Sequence, residues 1–282
     1  MIPVELILLA LSPVFVGFIA WEWLSSRRLT VGRYRWQDSA ANVVLAVMHQ
    51  GSDMLALLLL MPFFMWLYQF HLFTIELNVY SVALAFLLQD FLYYWFHRAS
   101  HHIRWLWASH VTHHSSRLMN FSTAFRQSLT YPISGMWLFW TPLILLGFTP
   151  ALVFAVVALN LAFQFFVHTQ AVKKLGVLEW VFNTPSHHRV HHACNPKYIN
   201  KNFAGVLIIW DRLFGTFVAE QDDEPCRYGI TDDFYSENPL RITFYEWRHM
   251  LNEIKACRSW RQFVAILFGE PVHHGTNDTK LD

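Results

Sequence analysis

Residues 84–102 read LAFLLQDFLYYWFHRASHH: an apolar run with one embedded carboxylate that ends abruptly in histidines. With the apolar residues just before it, the run reaches the roughly 20 residues a helix needs to cross a bilayer. It lacks the strict alternation of a half-buried strand. Read as a helix, it sets Asp90, Tyr94, His97 and His101 at i, i+4, i+7 and i+11, one stripe on one face. An aspartate inside a membrane helix is costly unless it has a partner, so the stripe reads as one wall of a buried polar site. Asp90 is placed to accept a proton from a ligand imidazole and so fix that ring's tautomer.

Outward from this helix, further apolar stretches run from about Pro3 to Leu24, Ala41 to Leu67, Val79 to Phe96, Tyr131 to Leu146 and Pro150 to Val167. Only Gly147-Phe148-Thr149 separates the last two, which are short enough to form a hairpin dipping part-way into the bilayer. Charged residues make up 15% of the 282, against about 25% in soluble domains. The 13 Trp and 25 Phe suit side chains that meet lipid and headgroups. The fold expected is therefore an all-α integral membrane protein with about five membrane helices and a cytoplasmic helical cap that carries a histidine-rich di-metal site.

The basic residues set the orientation. Arg27, Arg28, Arg33 and Arg35 follow the first stretch; Arg98, Arg104, Arg117 and Arg126 lie between the third and fourth; the remainder follow the fifth. In a five-span chain all 21 Lys and Arg fall on one side, which the positive-inside rule makes cytoplasmic. This is the pattern of a multi-pass protein of a bacterial inner membrane or the endoplasmic reticulum, with its N-terminus outside and its C-terminus and metal site inside. The N-terminal stretch has no basic region before it and reads as a retained anchor. A net charge of +1 gives no reason to expect nucleic acid. Cys194, Cys226 and Cys257 form no CxxC pair and read as ordinary thiols. From Pro239 to Phe268, Phe244, Trp247, Met250, Leu251, Ile254, Trp260 and Phe263 alternate with basic residues. This pattern fits an amphipathic helix on the membrane surface or one packed against the cap.

Most of the 16 histidines fall in four places: His97 with His101 and His102; His110 with His113 and His114; His168; and His187, His188, His191 and His192. Spacings of three and four aim imidazoles from one helix face at one point. Imidazole is a common ligand for zinc, copper and iron, and one ion needs only about four ligands. Two metals are the economical reading. His102 and His187 are the doubtful members, each beside a better-placed neighbour. His49, His71 and His249 are isolated, and His273 with His274 sits in a loose tail. Asn160 and Gln164 repeat the polar spacing ahead of His168, and interhelical hydrogen bonding accounts for them equally well. Asp90, Tyr94, Asn160 and Gln164 are thus the candidates to support the site.

At these motifs the chain resembles the fatty acid hydroxylase and sterol desaturase superfamily of membrane di-iron proteins, over roughly Leu88 to Phe217. The segments 90–98, 120–128, 183–192 and 201–217 are similar in wording to its alkylglycerol monooxygenase branch. The resemblance implies that two irons are held by His97, His101, His110, His113, His114, His168, His188, His191 and His192. It divides the chain into N-terminal membrane helices (1–78), a di-iron core (79–217) and a C-terminal cytoplasmic cap with the amphipathic helix (218–282). It also implies a lipid substrate, dioxygen and an external electron donor or reductant, with tetrahydrobiopterin entering by resemblance alone. Hydroxylation of a lipid C–H bond, with cleavage of a glyceryl ether as the leading case, is the activity expected. A sterol or fatty acyl desaturase or hydroxylase on the same site is the alternative. A non-catalytic metal or haem protein is the reading from another class. No HExxH pattern supports a zinc hydrolase, and Glu179 is the one carboxylate near the later clusters.

Overall fold

Helix formation in the decisive stretch begins at Asn78. Its side-chain oxygen accepts hydrogen bonds from the amides of Tyr80 (2.9 Å) and Ser81 (3.0 Å), and the Ser81 hydroxyl accepts from the Asn78 amide (2.9 Å). This reciprocal cap satisfies amides that a helix start leaves without partners. The helix then runs to His102 in the computed structural model, which describes residues 4–26 and 34–272. Arg27, Arg28 and Arg33 of the charge count, and the His273–His274 pair, lie outside the described residues.

In chain order the helices are α1 (Val4–Ser26), α2 (Trp36–Tyr68), α3 (Val79–His102), α4 (Arg104–His114), α5 (Tyr131–Ser134), α6 (Thr141–Leu146), α7 (Pro150–Phe165), α8 (Pro185–His191), α9 (Ile209–Leu213), α10 (Pro239–Thr243), α11 (Tyr245–Ala256) and α12 (Trp260–Phe268). Short 3-10 turns cover Phe121–Phe125, Met136–Trp140 and Gly176–Trp180. No strand forms among the described residues; pairing is limited to isolated bridges, Phe182 with Leu207 and Ala193 with Tyr228.

The chain is a membrane protein, and α2 and α3 are long and apolar enough to cross a bilayer. Val43, Val47, Leu55, Leu58 and Leu59 of α2 face outward and are exposed, the reverse of a water-facing helix. The stretch expected as a fourth crossing, Tyr131 to Leu146, is not one helix. Gly135, in the left-handed region at φ +81°, ends α5, and a 3-10 turn intervenes before α6. Gly147, at φ +119°, ends α6 where a Cβ would lie 1.9 Å from the Phe73 carbonyl oxygen, so only glycine fits. The 16 residues of α7 extend about 24 Å, less than the roughly 30 Å hydrocarbon core.

Phe64, Phe96, Trp140, Leu143, Phe148, Val153 and Phe154 form the apolar core between α2, α3, α6 and α7. Phe15 of α1 lies against Phe165 of α7 with ring centroids 4.3 Å apart. Beyond this core, α11 and α12 close over α4: Trp247, Met250 and Leu267 pack around Ala108. The amphipathic stripe is therefore split, with Trp247 and Met250 packed on the cap while Phe244, Leu251 and Trp260 stay exposed. Arg104, buried at the start of α4, donates to Glu246 (2.6 Å) and through both terminal nitrogens to Glu253 (2.6 and 2.7 Å). Paired, charge-assisted bonds of this geometry fix orientation as well as position. Thus α4 is held from its first residue.

Candidate metal centre

Four elements deliver histidines to one place: the last two turns of α3, the second half of α4, the residues just past α7, and α8 with His192 at its end. Successive residues on a helix diverge by about 100°, so neighbours in sequence separate in space. His97, His101, His110, His114 and His191 gather in one group, and His113, His168, His188 and His192 in a second. All nine rings are buried, and within each group the ligand nitrogens lie within 4.8 Å of one another. The groups adjoin: the His114 and His192 rings stack across the boundary with centroids 4.4 Å apart.

Hydrogen bonds at the outer nitrogens fix how the rings present themselves. His97 Nδ1 lies 2.7 Å from the Phe203 carbonyl, His113 Nδ1 3.2 Å from that of Arg126, His168 Nδ1 2.6 Å from that of Gln164, and His191 Nδ1 3.0 Å from that of Lys201. A carbonyl oxygen can only accept, so in His97, His168 and His191 Nδ1 carries the hydrogen and Nε2 is a bare lone pair, while at His113 Nδ1 the carbonyl competes with the Gln127 amide nitrogen, also at 3.2 Å. Burial pushes His113 down to about 4 and His168 well below the usual histidine range, the second also through its neighbour His113. Both rings are therefore neutral at neutral pH. Yet His113 Nε2 and His168 Nε2 face each other at 3.1 Å. A cation between the two rings would satisfy both of these buried nitrogens.

The first group shows the same arrangement. His97 Nε2 and His114 Nε2 both point at His110 Nε2, at 3.0 and 3.1 Å, while His110 Nδ1 meets the Tyr131 hydroxyl at 2.8 Å. Among the described residues, His101 Nε2 and His191 Nε2 are buried without a hydrogen-bond partner. Buried polar atoms are rarely left unpaired in a stable fold. The donor set is all nitrogen, neutral and convergent, which fits divalent transition metals.

The two doubtful histidines lie outside both groups. The half-exposed His102 turns away, its Nδ1 3.2 Å from Glu270. His187 is buried with its edge toward Phe217, and its Nε2 is 3.9 Å from Glu179. Glu179 itself accepts from Ser186 at 2.7 Å, close to the start of α8. Cys194 lines a cavity of about 110 Å³ that opens beside His101, His114, His191 and His192 between Trp107 and Ile199.

Asp90 does not meet an imidazole. One of its oxygens accepts from the Val206 amide (2.8 Å) and Asn160 (2.9 Å), the other from the Leu207 amide (3.0 Å) and the Trp210 indole (2.9 Å). The stripe position is right, but the carboxylate lies nearly two helical turns below His97, where it is saturated by the 206–210 segment. The tautomer of His97 is fixed by a backbone carbonyl instead. Gln164 likewise serves His168 through its backbone oxygen, while its side chain bridges Tyr93 (2.8 Å) and Asn160 (2.6 Å). Tyr94 meets Thr216 at 3.0 Å, and Thr216 donates to Asp211. Asp211 was not singled out from the sequence, yet it accepts from the amides of Phe203 and Ala204, both at 2.8 Å, and so aims the carbonyl that receives His97. Its signal lay in the 201–217 segment. The carbonyls of Arg126, Lys201 and Phe203 had none, because any residue type supplies one.

Residues 82–216 match the fatty acid hydroxylase family. The chain is 56% identical over 149 residues to an alkylglycerol monooxygenase of Danio rerio, covering 52% of this chain and 32% of that protein. It is 51% identical over 188 residues to the Homo sapiens alkylglycerol monooxygenase, covering 66% of this chain and 41% of that one. A more distant relative is the ornithine lipid hydroxylase OlsE of Rhizobium tropici, 34% identical over 154 residues, covering 54% and 46%. The chain thus spans less than half the length of each. No solved structure matches it significantly.

Proposed function

We propose that this chain, whose residues 82–216 match the fatty acid hydroxylase family, is a membrane-bound oxidoreductase that uses two irons and dioxygen to hydroxylate a lipid C–H bond. The observation that carries the reading is the convergence of nine buried imidazoles in two adjoining groups, with His113 Nε2 and His168 Nε2 facing each other at 3.1 Å. His97, His101, His110, His114 and His191 would hold one iron, and His113, His168, His188 and His192 the other. When bound, the irons supply oxygen activation and hydrogen abstraction.

The chain's own part is to position and to seal. Carbonyls of Phe203, Gln164 and Lys201 keep the hydrogen on Nδ1 and leave Nε2 free to ligate. Burial holds His110, His114, His188, His191 and His192 well below the usual histidine range, so acid does not compete for the ligand atoms at neutral pH. Trp107 and Phe203 pack against His101 with centroids at 5.3 and 5.2 Å and fix that ring at the edge of the cavity. The overall balance is lipid C–H, dioxygen, two electrons and two protons going to lipid C–OH and water, with the electrons from an external donor.

Similarity to alkylglycerol monooxygenases directs the choice of lipid toward an alkylglycerol. Hydroxylation at the carbon beside the ether oxygen gives a hemiacetal, which breaks to an aldehyde and glycerol. The lysine and arginine distribution supports a cytoplasmic site and C-terminus.

Iron and zinc per chain in mild detergent, for the parent protein and for His113→Ala and His191→Ala, test the site. About two irons in the parent, with a different group weakened by each variant, would bear out the assignment. Metal-free protein, or haem unaffected by either change, would sink it. An alkylglycerol given with oxygen and a reductant tests the substrate: released aldehyde supports ether cleavage, whereas a new double bond or a retained hydroxyl redirects the reading to a desaturase or another hydroxylase.

A further inference from the structure

Residues 173–182, between α7 and α8, follow the last long apolar stretch and would ordinarily be water-facing linker. Instead they read Lys-Lys-Leu-Gly-Val-Leu-Glu-Trp-Val-Phe, and apart from Glu179 every one of these side chains is exposed. Val177 is 80% and Trp180 68% exposed. Ile209 and Leu213 of α9 add to the same surface, Leu213 at 69%. Three contacts join the two pieces. The Ile208 amide donates to the Val181 carbonyl at 2.9 Å, Arg212 donates to the Glu179 carbonyl at 3.1 Å, and the Arg212 guanidinium lies 5.2 Å over the Trp180 ring. A contiguous apolar patch of this kind on a protein surface marks something that covers it.

Two observations identify the cover. The patch is continuous with lipid-facing surface: Phe182 meets Phe163 of α7, whose neighbours Leu159 and Leu161 are exposed, and α9 rests against Phe91 of α3 through Trp210. Its composition is also that of a bilayer interface, with a tryptophan at headgroup level and Lys173, Lys174 and Arg212 at its edge, Lys174 being shared with Asp222 at 3.5 Å. Glu179 does not interrupt it, because its carboxylate turns inward to Ser186, Thr184 and the Leu175 amide.

We infer that residues 173–182, with Ile209 and Leu213, form an interfacial anchor that sits in the headgroup and upper acyl region of the bilayer. Asn183 follows directly, its amide bonded to the Val206 carbonyl at 2.7 Å, and α8 with His188 and His191 begins two residues later. The anchor therefore sets the depth of the histidine helix, holding it at the level where a lipid's headgroup meets its chain. The inference rests on the chain being a membrane protein and not on its being a lipid hydroxylase, so either can fail without the other.

The test labels Val177→Cys with an environment-sensitive fluorophore, in a chain whose native cysteines are replaced by serine. The protein is held in nanodiscs of phosphatidylcholine with a minor fraction of phosphatidylglycerol. Asp223→Cys, on an exposed loop, is the aqueous control. The expected result is emission shifted to shorter wavelength at 177, strong quenching by lipid carrying a doxyl group high on its chain, and several-fold weaker quenching by iodide than at 223. Iodide quenching at 177 equal to that at 223, with no effect of the doxyl lipid, would overturn the anchor. Should the serine background not fold, a diazirine residue placed at Val177 in the otherwise native chain answers the same question. Photoadducts to lipid support the anchor; adducts to water alone refute it.

Discussion

Replacing Asp90 by asparagine changes one atom in the most heavily bonded carboxylate of the core. The aspartate accepts four hydrogen bonds, two at each oxygen, from the Val206 and Leu207 amides, the Trp210 indole and Asn160. Asparagine keeps one oxygen and its two bonds. Its amide group then points a donor at two other donors, which are left buried and unsatisfied. At about 1–3 kcal/mol for each orphaned donor the loss is about 2–6 kcal/mol, a large part of the roughly 5–15 kcal/mol that holds a domain together. The 203–210 segment should loosen as a unit, and with it the carbonyl that orients His97, weakening metal binding by about 10–100-fold. Thermal unfolding of the chelator-treated protein in detergent reads the first effect, and metal titration reads the second. A variant that loses metal but unfolds like the parent would refute this reasoning, because it would mean that Asp90 acts on the metal site directly and not through the segment it holds.

Arg104→Ala removes the buried cation that Glu246 and Glu253 bind and should cost about 3–5 kcal/mol; replacing Arg104 and Glu246 together by apolar residues should recover most of that, as read by denaturant unfolding. Gly205→Ala brings a Cβ to 2.6 Å from Asn160 Oδ1 and 2.8 Å from a Tyr93 ring carbon. The resulting overpacking of about 1–3 kcal/mol should appear as a lower Tm with no change in expression of the helices by circular dichroism. Burial, and then Glu220, push the Cys226 thiol up to about 12. Its thiolate fraction at pH 8 should be about 10³-fold below that of an ordinary thiol, so mass spectrometry after brief maleimide treatment of the native protein should find Cys226 unmodified.

The nine gathered histidines were legible because helix geometry turns a spacing of three or four into a shared direction. Their partition was not. His113 and His114 belong to different groups, as do His191 and His192, since adjacent side chains on a helix point about 100° apart. A motif written as one word thus serves two sites. The helices α2, α3 and α7 were legible from apolar length, but the break in 131–146 depended on Gly135 adopting a left-handed conformation, whereas Gly17 and Gly51 sit inside α1 and α2 without breaking them. The role expected of Asp90 fell to backbone carbonyls, which no residue type announces. Residues 173–182 fell within the 79–217 core in the sequence reading; only their exposure reveals the patch.

The partition also dictates an order of assembly. His191 completes the first group, while His188 and His192 complete the second. A growing chain therefore has α3, α4 and His168 in hand with neither group finished, and both are closed by a single late helix. The clamp on α4 waits longer still, for Glu246 and Glu253. Neither group thus has its full ligand set until translation has passed α8.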